Sequence, residues 1–239
     1  MQSVDPHRLT GIAVFQDLSS EAIKALAHIA VAYELESGNP LYQVGDYATQ
    51  FYIVVSGGIR LVESTVEGKA VNLKIYGPGD VFGLLAFTRD YRHESSAVTI
   101  RPTIVLGFNG SEAREVAKHH SDFAVKVIDC LTEHTHHAHD RIRNLAAEKT
   151  EKRLAGALLH FHSKFGHEQD GNLIISADLT QRDISEFTGT TLETVNRQLR
   201  SWEKAGYIQL SRKRIDILDK QSLQNILNVE TTSSGHMPE

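Results

Sequence analysis

The stretch Leu179–Lys204, LTQRDISEFTGTTLETVNRQLRSWEK, decides the architecture of the second half of the chain. It predicts two short helices separated by a tight turn. Thr180 followed by Asp183 is a capping-box pattern, in which a side chain and a backbone N–H bond reciprocally at a helix start. Thr190 followed by Glu193 repeats that pattern. We therefore expect one helix to begin after Thr180 and the other after Thr190.

The apolar residues of each predicted helix lie on one face. Ile184 and Phe187 share a face in the first helix, and Val195, Leu199 and Trp202 share one in the second. The residues left on the outer face of the second helix are Leu192, Glu193, Asn196, Arg197 and Arg200. This is the layout of a helix-turn-helix, whose second helix enters the major groove of DNA.

Length and composition are those of a soluble globular protein with room for two modest domains. The chain has 239 residues, of which 41% are hydrophobic and 23% charged. No apolar run approaches the ~20 residues of a membrane-spanning helix, and the start, MQSVDPHRLTG, lacks a secretory signal. The single cysteine, Cys130, excludes an internal disulfide and an iron–sulfur cluster held by one chain. We expect a cytoplasmic location and no membrane contact.

The net charge of -5 is not typical of a nucleic-acid binder, but only the docking face must be basic. Residues 180–220 carry eight basic and six acidic side chains, a local net charge of +2. The electrostatics therefore permit DNA binding without arguing for it.

Residues 32–109 alternate short β-branched or apolar runs with turn signals, and a helix is predicted before them at Ser20–Val31. Turn signals such as SGG at 56–58 and GPGD at 77–80 separate the runs. Many short strands at regular spacing predict an all-β sandwich or barrel. The predicted strands are Tyr33–Leu35, Phe51–Val55, Ile59–Glu63, Ala70–Ile75, Ala97–Thr99 and Thr103–Phe108.

A short helix at Ser111–Lys118 and a long one at Asp122–Glu148 are predicted next. The long helix has a narrow seam at alternating spacings of three and four, on otherwise polar flanks. Such a stripe is typical of a two-stranded coiled coil, so we expect a parallel homodimer. The seam residues are Ile128, Leu131, Thr135, Ala138, Ile142 and Leu145.

The remaining predicted elements flank the helix-turn-helix. A helix at Thr150–Phe165 and a strand at Asp170–Ile175 come before it. After it, Tyr207–Leu210 and Ile215–Leu218 flank the basic tip SRKR, which predicts a β-hairpin wing. Residues 229–239 have the composition of a disordered tail.

The order of these segments resembles the CRP/FNR family of transcriptional regulators. Three stretches carry the resemblance: NPLYQVGDYATQFYIVVSGGIRLV (39–62), GPGDVFG (77–83) and TGTTLETVNRQL (188–199). The resemblance implies an α+β chain that joins an N-terminal β-roll, a cyclic-nucleotide-binding-like jelly roll, to a long dimerisation helix and a C-terminal winged helix-turn-helix. The implied division is 1–120 for the effector-sensing β-roll, 121–148 for the dimerisation helix, 149–228 for the DNA-binding domain and 229–239 for the tail.

The resemblance assigns Glu193 and Arg197 as base readers. They are four residues apart and so share a helix face. Arginine donates twice to guanine O6 and N7, and glutamate accepts from cytosine N4, so the two suit a G·C pair. Two other roles stay open: a helix cap at Glu193 and a solvated ion pair between them.

Leu192 stands where the CRP branch has an arginine, and it can touch a thymine methyl group but cannot donate to guanine. We therefore expect TTGA half-sites over GTGA, arranged as an inverted repeat about one helical turn apart. The expected partners are double-stranded DNA, a second copy of the chain, a small effector and RNA polymerase. Candidates for phosphate or flanking contacts are Thr191, Thr194, Asn196, Arg200 and Arg212.

The effector is less well defined by the residues. In cyclic-AMP-binding members a glutamate and an arginine follow the F-G pair. Here the glutamate position holds Leu84, and the arginine position falls on Glu94 or Ser95, with one residue inserted. A carboxylate there repels a phosphate, so cyclic AMP is not expected unless Arg89 or Arg92 substitutes. A cyclic-nucleotide-responsive activator stays the alternative.

Three further effector chemistries stay open. The cluster HTHHAH at 134–139 is either a solvated helix face or a haem or metal site, with His134, His139 or His93 as ligand. An apolar or aromatic molecule could fill a pocket lined by Leu84, Leu85 and Phe87. The Cys130 thiol is either redox-active or structural.

The candidate effector pocket comprises Leu84, Leu85, Phe87, Arg89, His93, Ser95, Ser96, Cys130, His134, Ala138 and His139. The expected mechanism is that of the family: an effector between β-roll and long helix shifts the helix seam and re-aims the two recognition helices.

The residues support two other function classes to different degrees. A zinc hydrolase fails on spacing, since HTHHAH contains no HExxH and no carboxylate as third ligand, and no enzyme is expected. A β-roll module that acts through protein partners stays open.

Overall fold

A computed structural model describes residues 4–64, 70–147, 149–169, 172–176, 180–211 and 214–228. The chain divides into two compact units, residues 1–146 and 147–239, which are described separately. Among the described helices, none is long and apolar enough to cross a membrane.

The first unit contains a roll of short strands. Their bounds are β1 (Ala30–Leu35), β2 (Pro40–Tyr42), β3 (Gln50–Ser56), β4 (Ile59–Ser64), β5 (Ala70–Tyr76), β6 (Val81–Phe82), β7 (Ser96–Thr99) and β8 (Thr103–Asn109). They form two antiparallel sheets, in the orders β1-β8-β3-β6 and β2-β7-β4-β5. The predicted β-roll is confirmed. Strands β2 and β6 were not predicted, because two or three residues are too few to show a period.

Strand β3 shows why the roll has two distinct sides. Successive side chains of a strand point to opposite faces. Phe51 and Ile53 therefore pack into a core shared with helices, while Tyr52 and Val54 pack into the interior of the roll. The turn after β3 needs Gly57, whose φ is +88° and whose added Cβ would lie 2.4 Å from the carbonyl oxygen of Pro102.

The helices of the first unit are α1 (Pro6–Thr10), α2 (Ser20–Ile29), α3 (Gly110–His119) and α4 (Ser121–Ala147), and short 3-10 turns lie at Ala13–Phe15 and Leu84–Phe87. The predicted helix Ser20–Val31 is wrong at its end, because Ala30 and Val31 already pair with β8. Helix α4 is tied to α2 at its first turn, where Asp122 Oδ2 accepts from the backbone N–H of Ser19 at 2.6 Å.

The second unit contains α5 (Thr150–Phe165), β9 (Gly166–Gln169), β10 (Asn172–Ser176), α6 (Gln181–Thr188), α7 (Leu192–Lys204), β11 (Ile208–Ser211), β12 (Arg214–Ile217) and α8 (Lys220–Asn228). The sheet order is β11-β12-β10-β9, and β11 with β12 forms the predicted wing. Strand β9 and helix α8 were not predicted, since GHEQ and KQSLQNILN carry weak strand and helix patterns. Asp170, the wing-tip residue Arg212 and the predicted tail 229–239 lie outside the described residues.

Candidate nucleic-acid interface and effector region

The first helix of the helix-turn-helix, which we call the reader (residues 180–204), begins as predicted. Thr180 Oγ1 accepts from the N–H of Asp183 at 3.2 Å, and Asp183 Oδ2 accepts from the N–H of Thr180 at 2.8 Å. The capping box is therefore formed in both directions. Helix α6 ends at Thr188 and is capped by Gly189, whose left-handed conformation (φ 62°) lets its N–H donate to the carbonyl of Ser185.

The predicted start of the second helix is wrong by one residue. The cap of α7 is Thr191, whose hydroxyl accepts from the N–H of Thr194 at 3.2 Å. Thr190 belongs to the turn, because both of its backbone polar groups bond to Ser185. The hydroxyl of Ser185 donates to the carbonyl of Thr190 at 2.6 Å, and the N–H of Thr190 donates to the carbonyl of Ser185 at 3.1 Å. Glu193 is therefore not the far end of a capping box.

The sequence departs from the usual helix-turn-helix pattern of the family it resembles at three residues, of which Ser185 is the first. Thr188, the second, donates its hydroxyl to the carbonyl of Ile184 at 2.7 Å, and Gln181, the third, is the first, half-buried residue of α6. The hydroxyls of Ser185 and Thr188 both satisfy backbone carbonyls inside the motif. The departures at Ser185 and Thr188 are therefore accommodated by local hydrogen bonds.

Helix α7 buries one face and presents the other to solvent, as predicted. Val195, Leu199 and Trp202 are buried. On the outer face Glu193, Arg197 and Arg200 are exposed, Leu192 is 45% exposed and Asn196 is half-buried. Thr191 and Thr194 share a hydrogen bond between their hydroxyls at 2.9 Å.

The carboxylate of Glu193 and the guanidinium of Arg197 stand apart. Within the part of the chain that the structure describes, neither makes a hydrogen bond or an ion pair with the other or with any third residue. Neither of the two alternative roles, the helix cap at Glu193 and the solvated ion pair, is formed. Both side chains are available to a ligand that approaches the outer face of α7.

The interior of the β-roll is filled by aromatic rings. Tyr52 stacks on Phe82 at a centroid distance of 5.3 Å, and Tyr76 stacks on Phe82 at 5.1 Å. The imidazole of His93 lies face to face with the ring of Tyr42 at 3.5 Å. Burial raises the pKa of Tyr52 to about 12 and raises the pKa values of Tyr42 and Tyr76 further. The interior of the roll is therefore occupied by aromatic side chains that stack on one another.

The candidate effector residues that follow the F-G pair at 82–83 lie in several different environments. His93 is only 5% exposed, and burial lowers the pKa of its imidazole, with Asp46 opposing. Ser95 is buried while Glu94 is exposed, so the inserted residue leaves a neutral serine facing inward. Ser96 Oγ accepts from the N–H of Val44 at 3.0 Å.

Arg89 lies elsewhere, on an open groove of about 320 Å³ that is also lined by Tyr47, Tyr91 and Arg114. Arg89 is exposed. The structure does not bring it to the interior of the roll, where it would have to lie to replace the missing phosphate-binding arginine.

A small apolar cavity of about 20 Å³ lies where the 3-10 turn at Leu84–Phe87 meets α4. Leu84, Phe87 and Cys130 all line it, but Leu85 does not. The ammonium of Lys126, at the edge of the cavity, is 3.2 Å from Asp17 Oδ2. Burial raises the pKa of the Cys130 thiol. Candidate effector residues from two distant parts of the sequence, Leu84 with Phe87 and Cys130, thus meet at one site.

The histidine cluster does not act as one group. His134 faces the roll: its Nε2 lies 3.1 Å from the carbonyl oxygen of Val81, and its ring stacks on Tyr76 at 6.0 Å. Ala138 and His139 are exposed on α4. No group of three or more His, Cys, Asp or Glu residues with metal-binding geometry occurs among the residues searched, which are the described ones. His93 and His134 each contact a neighbouring residue, and a haem at one of these histidines stays a prediction.

The outer side of α4 is apolar where the seam was predicted. Val125, Ile128 and Leu131 are 56%, 60% and 43% exposed, and Thr135 is exposed beyond them. Large apolar side chains grouped on a helix surface mark an interaction site. The side chains of the last two predicted seam residues, Ile142 and Leu145, lie outside the described part of α4.

Comparison with known proteins identifies the class. The family model for the cyclic nucleotide-binding domain matches residues 33–120, and that for the Crp-like helix-turn-helix domain matches residues 152–226. The two cover more than half of the chain, in the order that the fold shows. The chain belongs to the CRP/FNR family of transcriptional regulators, as its sequence predicted.

Individual relatives extend over nearly the whole chain. The CRP-like cAMP-activated global transcriptional regulator of Mycobacterium tuberculosis (strain ATCC 25618 / H37Rv) is 26% identical over 215 residues, which cover 90% of this chain and 96% of the relative. The anaerobic regulatory protein of Bacillus subtilis (strain 168) is 25% identical, over 85% and 86% of the two chains. The structure of FixK2 from Bradyrhizobium japonicum shares the fold, with a TM-score of 0.73 and 24% identity over 83% and 97% of the chains.

Proposed function

We propose that the protein is a homodimeric transcriptional regulator that reads an inverted repeat of TTGA half-sites under the control of a small effector. The observation that carries this proposal is the exposure of the Glu193 and Arg197 side chains on the outer face of α7. Both are exposed, four residues apart on one face of α7, and without partners among the described residues. A helix whose charged groups are held ready on its outer face suits insertion into a major groove.

Each side chain on this face has a chemical counterpart in the half-site. Arg197 donates to O6 and N7 of the guanine, and Glu193 accepts from N4 of the paired cytosine. Leu192, 45% exposed, reaches a thymine methyl group. Each good base contact contributes about 1–3 kcal/mol of discrimination. Thr191, Thr194 and the wing contact phosphates and set the register.

The exposed apolar stripe on α4 supports a homodimer. Val125, Ile128 and Leu131 follow each other at intervals of three residues, and such a stripe is stabilised by burial against an identical helix. A two-fold axis along the helix pair then presents two recognition helices to an inverted repeat, with half-sites about one helical turn apart.

For the effector we favour a small apolar molecule at the cavity beside Leu84, Phe87 and Cys130, since the lining of the cavity is mainly apolar. A cavity of about 20 Å³ is far below the ~300 Å³ of a typical ligand pocket, so binding would move α4 away from the roll. The aromatic stack inside the roll argues against cyclic AMP there. RNA polymerase is the expected protein partner.

The direct test is a gel shift on a TTGA-N6-TCAA duplex against a scrambled duplex of equal length. We expect the wild-type protein to prefer the first duplex by a factor of ten or more at physiological salt. Equal affinity for the two would overturn the proposed half-site. Both titrations are repeated at higher salt. Salt weakens the electrostatic contribution to binding equally for the two duplexes, so a preference that depends on base contacts should remain.

A second candidate function is the β-roll module that acts through protein partners. An Arg197→Ala variant separates it from DNA reading. Loss of both operator binding and regulation in that variant would reject the partner-binding function, whereas regulation that persists after operator binding is lost would favour it. An Arg8→Ala variant, which changes an exposed arginine of the first unit, controls for lost positive charge.

A further inference from the structure

The position of the recognition helix is held by polar contacts that lie away from its DNA-facing side. The buried residues Val195, Leu199 and Trp202 hold α7 against its domain, but apolar burial is not directional. Hydrogen bonds are directional and weaken steeply when misaligned. The buried stripe therefore sets the rotation of α7 about its own axis only coarsely, and the polar anchors set it more finely.

One carboxylate supplies two of these anchors. Glu151, in the first turn of α5, accepts from Gln198 Nε2 at 3.1 Å and from Trp202 Nε1 at 3.3 Å, both on its Oε1. Gln198 and Trp202 are one helical turn apart on α7, so a single oxygen links two levels of the recognition helix. Trp202 is only 2% exposed, and loss of Glu151 would leave a buried indole N–H without its acceptor.

The same turn of α5 also holds the other helix of the reader. Arg153 Nε donates to the carbonyl of Thr188 at 3.0 Å, at the C-terminal end of α6, where helix carbonyls lack intrahelical partners. The first turn of α5 is thus hydrogen-bonded both to the end of α6 and to the middle of α7.

We infer that Glu151 is a positioning residue for sequence reading: it fixes the rotation of α7 and so aims Glu193 and Arg197 at the base edges, without itself touching DNA. A rotation of about 20° moves atoms at the helix surface, about 5–6 Å from the axis, by about 2 Å. That displacement is enough to break a hydrogen bond. The inference rests on the proposed function.

Electrostatics makes the test unambiguous in sign. Removing a carboxylate from a DNA-binding domain strengthens DNA binding when charge alone acts, because less repulsion opposes the phosphates. If a Glu151→Ala variant binds its operator more weakly, the cause is therefore a change in the orientation of α7 and not the change in charge. We expect at least a tenfold loss of affinity for the preferred duplex, with affinity for a scrambled duplex unchanged or slightly higher.

Two further variants complete the experiment. Glu151→Gln keeps an acceptor oxygen for Trp202 and should restore affinity to within about threefold of wild type. Glu168→Ala removes an exposed carboxylate from β9 and should leave the preference unchanged. The preferred duplex is selected by the wild-type protein from a random pool, so the inference does not depend on TTGA being correct.

Trp202 is the only tryptophan of the chain, so its fluorescence reports on the contact directly. We expect Glu151→Ala to shift the Trp202 emission and to speed amide exchange in α7, while Glu168→Ala does neither. Unchanged emission, exchange and operator preference in Glu151→Ala would overturn the inference. A wild-type protein that selects no duplex would overturn the proposed function instead, and the fluorescence and exchange data would still judge the role of Glu151 in holding α7.

Discussion

The Nε2 atom of His134 lies 3.1 Å from the carbonyl oxygen of Val81, which joins the long helix α4 to the short strand β6. Strand β6 leads through Gly83 into the 3-10 turn whose Leu84 and Phe87 line the apolar cavity. Because Val81 can only accept, Nε2 carries the proton in this contact. A movement of the cavity wall therefore has a direct route to α4.

Replacing His134 by alanine is expected to loosen α4 from the roll. The hydrogen bond to Val81 and the ring contact with Tyr76 are both lost, so the free energy of unfolding of the first unit should fall by about 1–2 kcal/mol. Urea unfolding followed by circular dichroism measures this. The exposed neighbour His136, changed to alanine, should cost less than about 0.5 kcal/mol, and equal effects of the two variants would contradict the assigned contact.

Replacing Arg197 by alanine should remove discrimination at the guanine of the half-site. We expect a loss of about 1–3 kcal/mol per half-site on the preferred duplex and a much smaller loss on a scrambled one. Titration of both duplexes with the variant measures the difference. A uniform loss on the two sequences would assign Arg197 to a phosphate instead of a base.

Replacing Ile128 by glutamate should break the homodimer, because two carboxylates would meet in the apolar seam. Sedimentation equilibrium at micromolar concentrations should show a dimer for the wild type and a monomer for Ile128→Glu. Asp129→Lys changes the charge at the adjacent, exposed position and should stay dimeric. A variant that remains a dimer with glutamate at 128 would place the interface elsewhere.

The Cys130 thiol should react slowly at neutral pH. Its pKa is raised, first by burial and then by Glu133, so the reactive thiolate is scarcer than in a free cysteine of pKa about 8.5. The rate with a disulfide reagent should rise steeply above pH 8.5 and should reach the free-thiol rate once urea unfolds the chain. Fast reaction of the folded protein at pH 7 would instead favour a redox thiol.

His93 should make the first unit sensitive to acid. Burial lowers its folded pKa, so below the unfolded value of about 6.5 the unfolded chain takes up the proton first. Stability is therefore present at neutral pH and is lost as the pH falls from about 6.5 through the lowered pKa. His93→Phe keeps a ring against Tyr42. The difference between its urea unfolding midpoints at pH 7.5 and pH 5.5 should be smaller than the difference measured for the wild type. His119→Gln, at an exposed position, should keep the wild-type difference.

Several parts of the reader could be predicted from spacing because they depend on neighbours in sequence. The capping box of Thr180 and Asp183 spans three residues, and the buried stripe of Val195, Leu199 and Trp202 repeats with the helical period. The start of α7 was mispredicted by one residue, because Thr190 and Thr191 are both good caps. The hydrogen bonds from Ser185, which decide between them, arise only when the turn closes.

The effector region was less predictable for a related reason. The run of residues 82–98 left Glu94 and Ser95 as candidates for an inward-facing position, and the folded chain buries Ser95, in the bend before β7, while Glu94 is exposed. His134 was placed beside the seam by its helix position, but its partner Val81 is 53 residues away. The ring of Tyr42 on His93 is likewise a contact between strands and loops that no local pattern encodes.

The sequence by itself determined the order of roll, long helix and helix-turn-helix and the outer face of α7, because periodicity, caps and turns act over a few residues. The class of the protein was predicted by the resemblance of three stretches to a known family. Only the tertiary structure decided that Cys130 meets Leu84 and Phe87 at one cavity, that rings fill the roll, and that Glu151 holds Trp202. Those relationships join residues tens of positions apart, and they exist only once packing brings distant elements within hydrogen-bonding or van der Waals distance.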